Sequence, residues 1–368
     1  MSKDAYHQKF IPPHSDGMGV NRKMYSFTND YSEGAHESIL AFLSIINKEQ
    51  IAGYGDDSYS EKARQLISQK TNCPENAIHF LLGGTQTNTV AIASFLRPHQ
   101  GVLSAEIGHI NTHESGAIEA TGHKVLSLSS YDGKINASQI EDYVKSHYDD
   151  PTATHAVQPG MVYLSHPTEI GTIYSKKEME DISEVCKKYQ MYLYVDGARL
   201  GCALTSREND LSLSELSSLC DAFYIGGTKN GALFGETLVI MNPLLNKDFQ
   251  YMQKQKGGRL AKGWLVGVQF LAFFQDNLFF ELAENANQRA FYLYEKLKEM
   301  GVSFLANCKT NQVFPIFPLS LIEILEKDFS FHRWEKIDDT HYAIRLCTSW
   351  ATPIEPIDAF LEAVKKNQ

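Results

Sequence analysis

Between residues 77 and 241 short apolar runs alternate with amphipathic stretches, and this alternation restricts the fold more than any other feature of the sequence. Strands are expected at 77–82, 102–105, 125–128, 161–164, 191–195, 222–225 and 237–241. Helical periodicity falls between them, at 85–96, 112–120, 137–147, 176–189 and 213–219. Parallel strands need a long crossover, and a helix supplies one while covering a face of the sheet. The expected fold class is α/β, with a mostly parallel sheet flanked by helices. Two more helices are expected upstream, at 36–51 and 60–69. Past residue 242 the texture changes to long helical patterns at 243–255 and 263–300. Short strands at 302–305, 312–317 and 342–347 follow, with helices at 319–327 and 357–365. A chain of 368 residues is long for one core. The expected division is an irregular N-terminal arm over 1–25, a large domain over 26–245, and connecting helices with a small α+β C-terminal domain over 246–368.

The formal net charge is −10, with 34 basic and 44 acidic residues, which argues against nucleic acid as a partner. No uncharged apolar run reaches the ~18 residues of a membrane span. The apolar stretch 264–280 contains Gln269, Gln275 and Asp276, and reads as a buried or subunit-contacting helix. The N-terminus lacks the apolar core of a signal peptide. Six scattered cysteines form no CxxC pair and read as reduced thiols, so a cytoplasmic location is expected.

In an open α/β sheet the ligand lies beyond the carboxyl ends of the strands. Unusual residues cluster there: Gly83-Gly84-Thr85, residues 106–109, Ser165-His166, residues 196–199 and residues 226–229. Lys229 is ringed by glycines in Gly226-Gly227-Thr228-Lys229-Asn230-Gly231. Asp196 ends the strand-like run Tyr192-Leu193-Tyr194-Val195-Asp196, thirty-three positions earlier. A lysine able to form a Schiff base and an acid able to pair with a pyridine nitrogen are what a pyridoxal phosphate enzyme requires. The bland reading of each is a surface lysine and a strand-end cap. Gly84, Thr85 and Gln86 open a helix, where backbone N–H groups suit a phosphate; an ordinary capped turn is the alternative. His109 is able to stack on a cofactor ring, or to cap a helix. His109 and His113, four apart with Glu114 adjacent, also raise a metal-hydrolase alternative, although no HExxH motif or third ligand is evident and no metal is expected. Arg199, three residues past Asp196, suits a substrate carboxylate or serves as a partner for Asp196. Arg345 sits in an apolar strand, where it needs a partner: a substrate carboxylate or a structural salt bridge.

The runs GYGDDSYSEKARQL, LLGGTQTN, AEIGHINTHESGA, YVDGARLG and GGTKNGALFGE, in this order and spacing, resemble the threonine aldolases of the β-eliminating-lyase group. The resemblance extends from about Asn29 to the C-terminus. It implies a fold-type I pyridoxal phosphate-dependent, transferase-like architecture. It further implies that Lys229 carries the cofactor, with Gly84, Thr85 and Gln86 at its phosphate, His109 on its ring and Asp196 at its pyridine nitrogen. Thr228 precedes the lysine where the family has serine. Arg199 and Arg345 match the family's carboxylate-binding arginines. His155 falls where the family has a second histidine near the substrate hydroxyl. Asn29-Asp30 replace a Ser-Asp pair, and Ser165-His166-Pro167-Thr168 replace a Glu-Asn-Thr run.

The expected reaction is reversible cleavage of threonine, allo-threonine or a related β-hydroxy-α-amino acid to glycine and an aldehyde. His109 or His155 would take the hydroxyl proton. Other reactions of the same scaffold, namely β-elimination, racemisation or transamination, are the alternatives. The expected partners are a small amino-acid substrate and further copies of the chain, as a homodimer or homotetramer. The resemblance implies a basic residue reaching across the dimer, to be sought among Lys254, Lys256, Arg259 and Lys262.

Overall fold

The computed structural model describes residues 24–367; all but the last two residues of the expected N-terminal arm lie outside them. Seven strands form the main sheet: β1 (Ile78–Leu81), β2 (Gln100–Ala105), β3 (Val125–Leu128), β4 (Gln158–Ser165), β5 (Tyr192–Asp196), β6 (Ala222–Gly226) and β7 (Glu236–Ile240). Their order across the sheet is β1-β7-β6-β5-β4-β2-β3. Neighbours pair in parallel except at β7, which runs antiparallel to both β1 and β6. The inner strands β4, β5 and β6 are almost wholly buried, because helices cover both faces. Several of those helices start at a built cap. Ser175 with Glu178, Asn136 with Gln139 and Ser212 with Glu215 each form a reciprocal capping box.

The single reversed strand matters for the site. Because β7 returns antiparallel beside β6, the loop joining them stays at the carboxyl edge of the sheet, and Lys229 rides on that loop. Register places Glu236 opposite Gly226 on one side and Leu81 on the other. Glycine is needed where β5 and β6 leave the sheet. A Cβ on Gly197 would meet the Tyr224 carbonyl oxygen at 1.9 Å, and one on Gly226 the Ala198 carbonyl oxygen at 2.2 Å. This close crossing sets Asp196 beside the lysine loop.

The C-terminal part contains an antiparallel sheet. His341–Cys347 lies at its centre, flanked by Gln312–Val313, Pro315–Pro318 and His332–Lys336, with Ser303–Phe304 beyond. Its core gathers Phe317, Ile344, Leu346, Phe360 and residues 290–297 of the helix Leu278–Glu299. The larger core runs past residue 245 to Leu282, so the two cores meet within that helix. The helix Trp264–Gln275 is packed into the larger core, with Val268, Phe270 and Phe273 fully buried. The buried helix expected in that stretch covers Trp264–Gln275.

Several expected elements break, for local reasons. The expected helix at 112–120 is the single turn His109–Thr112 and a 3₁₀ turn Glu119–Thr121, separated by Ser115 and Gly116 with φ of 51° and 71°. The expected helix at 243–255 is interrupted at Asp248 (φ 60°), and the one at 263–300 at Asn277 (φ 66°). The expected strand at 312–317 splits before Pro315, which has no N–H to continue a ladder. The strand His332–Lys336 is exposed at every residue but Trp334 and has a charged sequence, and its pattern gave no sign of it.

Candidate active site

The strand ends and the lysine loop enclose a cleft of ≈ 330 Å³, lined by Gly84, Thr85, His109, Glu169, Asp196, Arg199, Thr228, Lys229 and Glu236, among others. It shares Tyr31, His109, Glu169, Arg199 and Lys229 with a second cleft of ≈ 470 Å³, which reaches Arg345 and Trp334 in the C-terminal sheet.

Asp196 lies on the floor, 4% exposed. Its Oδ2 accepts from the Tyr163 hydroxyl at 2.6 Å and from Asn88 Nδ2 at 3.0 Å. Its Oδ1 accepts from the Tyr224 hydroxyl at 2.5 Å and the Ala198 N–H at 3.0 Å. Burial works against the charge, but His109 and these donors prevail, and the carboxyl titrates below its ordinary range. Lys229 is the only lysine lining either cleft among the described residues. Burial and then the Arg199 charge lower the pKa of its amine, against the pull of Asp30, Asp196 and Glu236. A nucleophilic amine and a lasting anion thus face one cleft.

His109 begins its short helix with its N–H on Glu169 Oε1 at 2.8 Å, and its Nδ1 lies 2.8 Å from Glu114 Oε1. Asn88 joins the two carboxylates, donating to Glu114 Oε1 at 2.8 Å as well as to Asp196. Among the described residues the cluster of three groups close enough to share an ion is His109, Glu114 and Asp196. His113 instead stacks its ring at 5.7 Å from that of His109 and at 6.3 Å from that of Trp334, and Arg345 lies over Trp334 at 5.1 Å.

Arg199 binds Asp30 through two bonds, Nε–Oδ2 at 2.6 Å and Nη2–Oδ1 at 3.0 Å. Its partner is therefore neither Asp196 nor an open position. Burial would raise the pKa of the Asp30 carboxyl, yet Arg199 and Lys229 hold it below the usual range. Arg345 donates from Nη2 to the Thr28 carbonyl at 3.0 Å, while its Nε is buried without a partner. Asn29 Oδ1 accepts from the Tyr31 N–H and the Ser32 hydroxyl, and so shapes the loop that delivers Asp30. Gly84 and Thr85 open the helix Gly84–Phe95 at the cleft wall. Gln86 Oε1 turns back to the Leu82 N–H at 3.2 Å.

Two of the expected residues stand apart from the open floor of the cleft in this chain. His155 stands exposed just before the amino end of β4, whereas the cleft lies at that strand's carboxyl end. Within this chain a whole strand separates it from the other residues. The Thr228 hydroxyl donates to Glu236 Oε1 at 2.8 Å and accepts from the Gly235 N–H at 3.0 Å. It braces the lysine loop and has no proton left for an anion. The sequence reading missed Glu236, whose carboxyl also accepts from the Gly227 N–H at 2.8 Å and is pushed up to about 7 by burial. It also missed Glu169, Tyr163, Tyr224 and Trp334, and weighed Glu114 only as a neighbour of the histidine pair. Of these, Glu236 stands at the end of the GGTKNGALFGE run and Glu114 directly after His113.

Of the four basic candidates for a cross-subunit contact, Arg259 pairs with Asp56 of its own chain at 2.7 Å. Lys254 covers the Tyr54 ring at 4.2 Å. Lys256 and Lys262 are exposed.

A family model described as Beta-eliminating lyase matches residues 42–318. The low specificity L-threonine aldolase of Pseudomonas aeruginosa is 30% identical over 341 residues, spanning 90% of this chain and 94% of that protein. The structure of a threonine aldolase from Leishmania major superposes with a TM-score of 0.90 at 44% identity, over 93% of this chain and 99% of that one. An aspartate aminotransferase of Thermus thermophilus matches in fold at a TM-score of 0.70 and 14% identity, over 94% and 92% of the two chains.

Proposed function

The chain belongs to the beta-eliminating lyase family, and we propose that its cleft carries out the reaction of its named relatives. The protein is a pyridoxal phosphate-dependent lyase that cleaves threonine to glycine and an aldehyde. The observation that carries this reading is the placement of Lys229 and the ionised Asp196 on one cleft at the carboxyl edge of the sheet.

The residues fit the cofactor. Lys229 would hold it covalently, Asp196 would face its pyridine nitrogen, and His109 would lie against its ring. The open start of the helix Gly84–Phe95, with the Thr85 hydroxyl, offers donors for its phosphate. When bound, the cofactor supplies an electron sink for the bond broken at Cα. The chain's own part is to orient the amino acid. Arg345, with a buried donor left open, suits the substrate carboxylate, and fixing that group sets the bond to be broken. Arg199, bound to Asp30, acts by charge and by shaping the wall.

Assay of L-threonine, L-allo-threonine and phenylserine, with aldehyde, glycine and ammonia measured together, tests the reaction. Ammonia and a keto acid without glycine would show β-elimination instead. Arg345→Leu should raise KM for the amino acid by about 10²-fold, the worth of a charge-assisted pair, while the visible absorbance of the bound cofactor is unchanged. A purely structural Arg345 would lower the melting temperature and leave KM alone.

A homodimer or homotetramer in the cytoplasm completes the reading. Leu40 and Ile45 on the helix Glu37–Ile46 are 46% and 78% exposed, which suits an interface. All six cysteines are free thiols. Sedimentation at dilute concentration should give a species of at least two chains; a fully active monomer would refute the assembly.

A further inference from the structure

We propose that Glu169 is a catalytic residue whose carboxylate takes the proton of the substrate's β-hydroxyl. The inference rests on the aldol reading above. In cleavage the O–H electron pair becomes the second C–O bond of the departing aldehyde. The Cα–Cβ pair remains with Cα, which is then protonated to give glycine. The hydroxyl proton must pass to a base standing between the lysine loop and the substrate-carboxylate site. In the reverse direction the same group returns it.

Five residues line both clefts and so occupy that intermediate position: Tyr31, His109, Glu169, Arg199 and Lys229. Arg199 is bound to Asp30, and Lys229 is assigned to the cofactor. Tyr31 is 54% exposed at the rim. His109 is assigned to the cofactor ring in the reading above, with Nδ1 on Glu114. Glu169 remains. It follows the carboxyl end of β4, and its Oε1 accepts from the Ser165 hydroxyl at 2.6 Å and the His109 N–H at 2.8 Å. Those bonds aim the group without enclosing it, since Glu169 stays partly exposed to the cleft. Other carboxylates are less suited. Asp196 is held as an anion by four donors, and Glu236 is bonded to the lysine loop and does not reach the second cleft.

Proton affinity agrees with the geometry. Burial raises the Glu169 carboxyl above the ordinary glutamate value, Asp196 adds to that, and the Ser165 bond and His109 oppose it. The Tyr163 and Tyr174 hydroxyls also face it and stay neutral. A carboxyl raised above its usual value is the stronger base.

Glu169→Gln separates this role from positioning, because the amide oxygen still accepts from Ser165 and His109. In the loaded enzyme kcat for threonine cleavage should fall about 10²- to 10⁴-fold, with KM changed less than about threefold. Exchange of the glycine α-proton with deuterium, which involves no hydroxyl, should stay within about threefold of wild type. Glu169→Asp, which keeps a carboxylate, should recover part of the lost cleavage. In the cofactor-free protein, stability from the raised carboxyl is complete below its unfolded value and is lost as pH rises through its folded value. The wild-type melting temperature should therefore decline with pH across that window, relative to Glu169→Gln. Wild-type cleavage by Glu169→Gln, an equal fall in cleavage and exchange, or parallel melting profiles would each overturn the proposal. If the wild type itself neither cleaves threonine nor exchanges glycine, the aldol reading fails first and takes this inference with it.

Discussion

Lys229→Ala is expected to abolish turnover, by about 10⁴-fold or more, and to remove the visible absorbance of the bound cofactor. No other lysine lines either cleft among the described residues, so no second amine replaces it. The position is also chemically prepared. Burial lowers the amine pKa, and the Arg199 guanidinium lowers it further, so the neutral nucleophile forms more readily than on an exposed lysine. Three carboxylates, Asp30, Asp196 and Glu236, pull the other way and keep the shift in bounds. The fold should survive the substitution, because Lys229 sits on a loop whose shape is set by the Thr228–Glu236 and Gly227–Glu236 bonds. Borohydride reduction of the loaded wild type, followed by peptide mapping, gives the second readout. A label on any lysine other than Lys229 would reject the assignment.

The α/β alternation, the lysine loop and the acid at the end of β5 were legible because each leaves a mark on neighbouring residues. A buried parallel strand must be apolar along its length, and a close crossing such as that of Gly197 and Gly226 must be glycine. Groups that act through space leave no such mark. Asn88, Glu114 and Asp196 are far apart in sequence and become one hydrogen-bonded set only when β5 and the helix Gly84–Phe95 come together. Glu169 was hidden for a related reason. The run 165–168 differs from the family's Glu-Asn-Thr, and a carboxylate one residue beyond it still turns into the cleft. His155 shows the opposite case within this chain. Its place in the resemblance assigned it to the substrate, but β4 runs the length of the sheet from its position to the site. The breaks at Asp248 and Asn277 were missed because neither residue is glycine, although both adopt φ near +60°.

Asp196→Asn is expected to weaken cofactor binding and to cut turnover by about 10²-fold or more, while the protein still folds. The four bonds at this carboxylate allow the structural part to be separated. An asparagine must place its NH₂ either toward Tyr163 and Asn88 or toward Tyr224 and Ala198. A tyrosine hydroxyl is able to turn and accept, but the Asn88 amide and the Ala198 N–H are donors. Either orientation therefore loses one hydrogen bond, which costs about 1–3 kcal/mol. That is a modest loss of stability beside the loss of the charge we assign to the pyridine nitrogen. The pH dependence gives an independent check. The folded Asp196 carboxyl titrates below its ordinary value, so its contribution to stability is complete above pH ~4 and is lost as pH falls through the lower folded value. The cofactor-free wild type should lose melting temperature in that acid window, and Asp196→Asn should lose less of it. An Asp196→Asn protein with wild-type turnover and cofactor affinity would mark the residue as a strand-end cap and return the pyridine partner to another group on the cleft floor.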